Sequence, residues 1–396
     1  MLRVAYLFER FPSFGQTFCY REVAELRRQG AEVTVFSIRR PTDEPAQDWD
    51  EEIVRRVAYL PDQAELVKEV NGAIRGGDLP QQATQMVKEW DRRSDFLRLY
   101  QAAYVGLRLQ RADIQRVHAH FAGLAARTAY WIKRFFGIEF SVTAHANDIF
   151  APRDFVVSLE KIFAEATAVV TVSDFAVAHL RQKFPQHAAK FHRVYNGIDP
   201  SRFQEARFDS AMPSIISVGR LIEKKGFSDL ISACSLLKSA GTPFRCEIIG
   251  EGPLAEALAS QIAEAQLEAE VKLLGTRTQV QIAERLAAAT VFVLPCVEEA
   301  DGGIDNLPTV IMEAMASGLP VISTPLAGIP EMVQPALTGL LVPPRNPGAL
   351  AKAITEFHAD PSTARALGAC GRKAAAEKFS VAANVTTLAN LLQQAK

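Results

Sequence analysis

Residues 291–318 read VFVLPCVEEADGGIDNLPTVIMEAMASG, a short apolar run followed by a loop carboxylate, a helix start and a second carboxylate on that helix. The run VFVLP has the unbroken apolarity of a buried parallel strand. Pro308, with a fixed φ and no N–H to satisfy, suits the first turn of the helix, and Gly318 suits its end. Leu307 to Val310 then aim free backbone N–H groups, and the positive end of the helix dipole, at an anion such as a diphosphate. Glu313 lies four residues after Thr309 and leans back toward the same end. Two carboxylates would repel a diphosphate, so Asp305 and Glu313 are expected to accept hydrogen bonds from sugar or ribose hydroxyls. Taken alone, the segment fits equally well an ordinary amphipathic helix with a loop aspartate as its cap.

Working outward, strand-like runs alternate with helical stretches along both halves of the chain. RVAYLF, AEVTVFSI, RVHAHF, EFSVTAH and AVVTVS read as strands of the first half, and IISVGR, RCEIIG, VKLLGT, VFVLP and PVISTP as strands of the second. This pattern predicts an α/β chain of two doubly wound parallel-sheet domains facing a central cleft. The turn-rich segment 196–214 marks the junction. The expected domains are residues 1–197, residues 198–378, and a closing helix within 379–396 that packs back toward the first domain. Residues 60–111, about, form a helical excursion without strand signals that carries Lys88, Arg92, Arg93, Arg98, Arg108 and Arg111. A solvated helical face explains these cations, and a docking face for a lipid-linked acceptor at a membrane surface is the sharper alternative.

The chain has 396 residues, 48% apolar and 22% charged, which is enough to bury a sizeable core. Its formal net charge of -1 provides no global field for nucleic acid or an anionic membrane, so no nucleic-acid partner is expected. Five scattered cysteines, none in a two-spacer pair, argue against a disulfide framework and a zinc site and fit a reducing cytoplasm. No apolar stretch approaches the about 20 residues that span a bilayer, and no export signal is visible after Met1. A cytoplasmic location is expected, with association at the inner face of the cytoplasmic membrane left open.

In the second half, VGRLIEKKGF places Arg220 at the end of a strand and Lys225 just before a helix, where two cations can clamp a diphosphate. Gly250, in the turn GEGP, follows the next strand. Leu274 and Gly275 end the one after. All of these, with the unit at 305–318, fall at strand C-terminal ends of one sheet, where an open α/β domain binds its ligand.

Together, VGRLIEKKG, IIGEGPL, the carboxylate pair with seven residues between and EAMASGLPVI resemble the nucleotide-sugar domain of retaining glycosyltransferases of family 4, which have the GT-B fold. The resemblance covers most of the chain. It implies that Arg220 and Lys225, with the helix start at Leu307 and Thr309, hold the donor diphosphate, and that Glu313 binds ribose hydroxyls near Gly250, Leu274 and Gly275. Asp305 and Asn306 take the sugar-contacting positions. Here Asp305 replaces the usual Glu, one methylene longer, and Asn306 replaces a frequent Gly.

The first half is similar to the acceptor domain of the same family, particularly of members that build bacterial exopolysaccharides. In FPSFGQTFCYREVAEL, Gly15, Gln16 and Thr17 stand at the acceptor side, with Gly15 allowing close backbone approach and Gln16 and Thr17 offering hydrogen bonds. His118 and His120 are expected on opposite faces of a strand, without partners at metal-ligand spacing and with structural roles. In the family, the His matching His145 lies beside the transferred sugar; a helix-start His capped by Asn147 or Asp148 is the plainer reading. Ser173, Asp174 and the turn Asn196–Asp199 read as cleft or hinge elements.

The resemblance implies transfer, with retention, from a nucleoside-diphosphate sugar to a hydroxyl of a saccharide or lipid-linked saccharide. No cofactor is expected. No metal is expected either, because the chain has no Asp-x-Asp element, and the fixed cations and helix start would stabilise the leaving diphosphate. No second carboxylate can be assigned as a covalent nucleophile. A nucleotide-sugar epimerase or phosphorylase on the same fold, and a non-catalytic nucleotide-sugar-binding subunit, remain as alternatives.

Overall fold

A computed structural model describes residues 2–42, 44–90, 95–151, 155–208 and 212–394. The first sheet contains β1 (Arg3–Arg10), β2 (Glu32–Arg39), β3 (Ala58–Tyr59), β4 (Arg116–His120), β5 (Glu139–Thr143), β6 (Val169–Thr171) and β7 (Phe191–Arg193), in spatial order β3-β2-β1-β4-β5-β6-β7. The second contains β8 (Ser214–Val218), β9 (Arg245–Ile249), β10 (Val271–Leu273), β11 (Val291–Leu294), β12 (Val321–Ser323) and β13 (Gly339–Leu341), in order β10-β9-β8-β11-β12-β13. Every strand pairing is parallel. These are two doubly wound α/β sheets of the GT-B kind, each reversing its order after its first strand.

Helices cover both faces of each sheet, so the central strands are apolar throughout: Val291 to Leu294 are all buried. Three edge strands escape sequence reading for a physical reason. β3, β7 and β13 hold only two or three residues, and their extended shape comes from pairing with a longer neighbour rather than from their own pattern.

The chain passes from the first sheet to the second after β7. It returns through the helix Val381–Gln394, whose Val385, Leu388 and Leu392 bury against Val4, Tyr6, Val23 and Leu26 of the first domain. Outgoing and returning segments meet at a parallel bridge between Ile198 and Ser380. There a Cβ on Gly197 would lie 2.2 Å from the Val381 Cα, so only glycine permits this approach.

The excursion forms helices Gln63–Gly76, Gln81–Glu89 and Phe96–Arg111, the last packing Leu99, Ala102, Ala103 and Leu107 into the core. Three of its cations have acidic partners: Arg98 with Asp95 at 3.6 Å, Arg108 with Glu69 at 3.0 Å and Arg111 with Asp78 at 3.8 Å. Lys88 is exposed, and Arg92 and Arg93 lie outside the described residues. Among the described residues no helix is long and apolar enough to cross a membrane.

Candidate active site

Where the second sheet reverses, β8 and β11 lie side by side and their C-terminal ends open into one crevice. From β8 the chain runs through Gly219 and Arg220 to a short turn, Glu223–Lys225, and enters the helix Phe227–Ser239 at Gly226. Gly226 has φ 69°, and a Cβ there would meet the Pro295 carbonyl oxygen at 1.8 Å, so glycine alone lets this turn press against the end of β11. Lys225 is thereby brought onto the loop after β11, where its ammonium pairs with the Asp305 carboxylate. Burial works against the Lys225 charge, but Asp305 and the Cys296 sulfur more than offset it and raise its pKa. Arg220, two residues past the end of β8, is exposed.

The neighbouring strand ends close against this point. The Gly250 N–H donates to the Gly275 carbonyl at 2.9 Å, and the Leu274 N–H to the Ile248 carbonyl at 2.9 Å. Gly250 (φ 144°) would place a Cβ 1.9 Å from the Gly219 carbonyl oxygen, so the ends of β8, β9 and β10 form one continuous floor. Gly250, Leu274, Gly275, Arg220 and Lys225 therefore share one side of the sheet.

The helix after β11 spans Thr309–Ala316. Pro308 is extended and caps it rather than sitting in its first turn, which corrects the expected helix start by one residue. The Ile311 N–H bonds to the Pro308 carbonyl at 3.1 Å, whereas the N–H groups of Leu307, Thr309 and Val310 have no acceptor among the described residues. At the other end, Gly318 (φ 70°) donates to Met315 and Leu319 to Ala314, a Schellman closure.

Glu313 is buried, and its Oε1 accepts a hydrogen bond from Arg21 Nη2 at 2.5 Å; the two side chains are 8% and 11% exposed. Arg21 lies on the first-domain helix Thr17–Arg28, so this pair spans the two domains. Sequence reading missed Arg21, although it lies within the segment already singled out; nothing in local spacing pairs residues 292 positions apart. Asn306 is also buried. Its Oδ1 accepts from Ser173 Oγ at 2.7 Å, and its Nδ2 has no partner among the described residues. Lys224 Nζ donates to Asn147 Oδ1 at 2.9 Å, a further link across the cleft.

On the first-domain side, β1 and β4 flank the corresponding reversal, and a cavity of about 640 Å³ opens at their ends. Ser13, Gln16, Phe121, Gly123 and Asn147 help line it. Gly15 and Gln16 form a short 3-10 turn and Thr17 starts the next helix. His145 is buried and begins the helix Ala146–Phe150, whose Asp148 Oδ2 accepts from the His145 N–H at 3.0 Å. The helix-start reading of His145, with Asp148 as its capping partner, is what the structure holds, and Asn147 and Asp148 next to it help line the cavity.

The expectation for His118 and His120 needs correction. Residues two apart on a strand share a face, and the rings lie 5.3 Å apart on one side of β4. His118 bonds to Ser141 Oγ at 2.8 Å and Thr143 Oγ1 at 2.9 Å. His120 bonds to Glu22 Oε1 at 2.9 Å and His145 Nε2 at 3.2 Å. Glu22, His118 and His120 bring potential metal ligands within 4.8 Å of one another, a cluster invisible in linear spacing. Because these ring nitrogens already have protein partners, the group is a packed hydrogen-bond network.

A family model for glycosyl transferases group 1 matches residues 199–374, and one for glycosyltransferase family 4 matches residues 15–202. WcaL of Salmonella typhimurium, provisionally described as a colanic acid biosynthesis glycosyltransferase, is 28% identical over 99% of this chain and 100% of its own length. The amylovoran biosynthesis glycosyltransferase AmsK of Erwinia amylovora is 36% identical over 61% of this chain and 60% of its own. Among solved structures, Anabaena HepE in complex with UDP-glucose superposes with a TM-score of 0.70 at 17% identity, covering 99% of this chain and 100% of that one.

Proposed function

The chain belongs to glycosyltransferase family 4, and from that premise we propose that it moves a sugar from a nucleoside-diphosphate sugar to a hydroxyl of a saccharide or lipid-linked saccharide, with retention, during exopolysaccharide assembly. One observation carries the reading: Lys225, after β8, pairs with Asp305, after β11, just ahead of a helix start whose N–H groups at Leu307, Thr309 and Val310 have no acceptor among the described residues. The exopolysaccharide context comes from the descriptions of WcaL and AmsK, and the donor type from the ligand of HepE.

Bond cleavage places negative charge on the departing β-phosphate. Arg220 and the Lys225 ammonium, with the amides of Leu307, Thr309 and Val310, supply fixed positive potential where that charge grows. In the absence of donor, Asp305 neutralises Lys225. An incoming diphosphate competes for the ammonium and releases Asp305 to accept from sugar hydroxyls. Glu313 uses one oxygen for Arg21 and keeps the other for the ribose. His145 and Gln16 face the acceptor. The leaving phosphate takes the acceptor proton on the same face of the sugar, and the proposal requires no metal.

The test is product analysis after incubation with UDP- and GDP-sugars in EDTA, with and without a mixture of oligosaccharide and polyprenyl-linked saccharide acceptors. An acceptor-dependent product with the donor's anomeric configuration is expected. Isomerised sugar from donor alone, a phosphate-dependent sugar phosphate, or nucleotide binding without any product would each contradict the proposal.

A further inference from the structure

At the C-terminal end of β6 the chain enters the helix Asp174–Lys183, and the first N–H groups of a helix have no acceptor within it. Ser173, just before the helix, serves the later two. Its Oγ accepts from the Ala176 N–H at 3.0 Å and its carbonyl from the Val177 N–H at 3.2 Å. The earlier two are served by the other domain: Glu331 Oε2 accepts from the Asp174 N–H and Glu331 Oε1 from the Phe175 N–H, each at 3.0 Å. A carboxylate placed there also meets the positive end of the helix dipole.

Glu331 ends the turn Ile329–Glu331, which follows β12 in the second domain. It is held from two further sides. Tyr195 Oη donates to Glu331 Oε2 at 2.9 Å, and Lys378 Nζ donates to the Glu331 carbonyl at 2.9 Å. Tyr195 lies on the segment that leaves the first domain, and Lys378 stands just before the segment that returns to it. The Tyr195 and Phe379 rings pack there with centroids 5.0 Å apart. The carboxylate is thus anchored where the chain crosses twice between the domains.

The same helix start touches the donor loop. Ser173 Oγ donates to Asn306 Oδ1 at 2.7 Å, and the Asn306 carbonyl accepts from the Gly328 N–H at 2.9 Å. Gly328 comes so close that a Cβ there would lie 2.8 Å from both the Ser173 Cβ and the Asn306 carbonyl oxygen. All three residues are buried. Asn306 stands between Asp305, which pairs with Lys225, and Leu307, whose N–H has no acceptor among the described residues. One planar peptide unit joins it to each, so the place where Asn306 is held sets the aim of both neighbours. A glycine at this position could not make the bond to Ser173.

We propose that Glu331 and Asn306 form a two-point clamp on the start of the helix Asp174–Lys183, and that through this clamp the first domain positions the donor loop 305–307. Glu331 and Ser173 are positioning residues that act through Asn306 and need not touch the donor. The clamp belongs to the resting protein, whereas its effect on the donor rests on the function proposed above.

Hydrogen exchange at single-amide resolution, on full-length protein without nucleotide, tests the clamp. In wild type the Asp174 and Phe175 amides should exchange as slowly as those of Ala176 and Val177. Glu331→Ala should speed both, together with the Gly328 amide, by about tenfold or more, with Glu331→Gln in between. Unprotected Asp174 and Phe175 amides in wild type overturn the clamp. A Gly328 amide that is unmoved in Glu331→Ala reduces Glu331 to a helix cap and also overturns the proposal.

Calorimetric titration with UDP and GDP, which carry no sugar for Asn306 to meet, tests the positioning. For whichever nucleotide binds wild type, Glu331→Ala and Asn306→Ala should each weaken binding by about fivefold or more, and the double variant should match the weaker single variant within about twofold. Unchanged affinity in Glu331→Ala, or penalties that multiply in the double variant, overturns the proposal. A wild type that binds neither nucleotide contradicts the function proposed above, and the exchange rates then decide the clamp alone. Should Glu331→Ala not fold, Glu331→Gln takes its place in both measurements with the same directions expected.

Discussion

Replacing Glu313 probes the donor site at a single contact. Its carboxylate offers two oxygens, and among the described residues only Oε1 is taken, by Arg21 at 2.5 Å. The other is assigned to ribose hydroxyls. A hydrogen bond to a charged group contributes about 1.5–3 kcal/mol, so Glu313→Ala should weaken nucleoside-diphosphate binding by about 10- to 150-fold. Glu313→Gln keeps a carbonyl acceptor but loses the charge, and since charge-assisted bonds are roughly twice as strong as neutral ones, its loss should be about half as large in free energy. Calorimetric titration with UDP or GDP, whichever binds wild type, and with the matching 2′,3′-dideoxy nucleotide closes a cycle between side chain and hydroxyls. In wild type the dideoxy analogue should bind more weakly, and in Glu313→Ala that difference should nearly vanish. Because Glu313→Ala leaves the Arg21 guanidinium nearly buried and unpaired, Arg21→Ala/Glu313→Ala serves as the stability control, with the higher melting temperature expected for the double variant. An equal penalty for the dideoxy analogue in wild type and Glu313→Ala would refute the ribose assignment.

Further outcomes follow from the buried charges. Lys225→Met strands Asp305 in a nearly buried pocket and should cost about 3–5 kcal/mol in denaturant unfolding, while Lys225→Met/Asp305→Asn should recover much of it; equal stability of the two variants would contradict the ion pair's burial. His118 and His145, lowered to about 3 chiefly by burial, refuse protons that the unfolded chain takes up below its ordinary value of 6.5. Stability should therefore fall as pH drops from about 6.5, by up to about 1.4 kcal/mol per unit for each group, partly offset by Asp148, which burial raises to about 6. On the alkaline side, the His120 contribution is complete below 6.5 and lost as pH rises through about 10. Unfolding midpoints across pH 4–10 should peak near 6–7, and a maximum at either extreme would contradict the assigned charges. Gly226→Ala should abolish soluble folding or cost several kcal/mol, since its Cβ would overlap the Pro295 carbonyl; a wild-type melting temperature would show that the turn relaxes freely.

Much of the fold was legible because its signals are local. Apolar runs such as VFVLP and IISV must be buried on both faces, and their alternation with helices leaves few topologies besides two parallel sheets. The donor-side positions could be read because they follow strands immediately in sequence, and strand C-terminal ends share one side of such a sheet. What escaped is long-range or depends on orientation. Arg21 meets Glu313 only because two domains close on each other. The Asn306–Ser173 bond and the Lys224–Asn147 bond are equally remote in sequence. The shared face of His118 and His120 follows from the period of two and is open to a local rule, whereas Glu22 arrives there from a separate helix and is not. Edge strands such as Gly339–Leu341 owe their conformation to a neighbour and carry little pattern of their own.

The central claim is that the second domain holds its donor by the diphosphate through fixed cations and open amides. Calorimetric titration in EDTA, comparing UDP with UMP and GDP with GMP on wild type and Arg220→Ala, tests it most directly. The account predicts that one diphosphate binds at least tenfold more tightly than its monophosphate without any divalent ion, and that Arg220→Ala removes most of that advantage. Equal affinity for diphosphate and monophosphate, or a preference that appears only when magnesium or manganese is added, would contradict it.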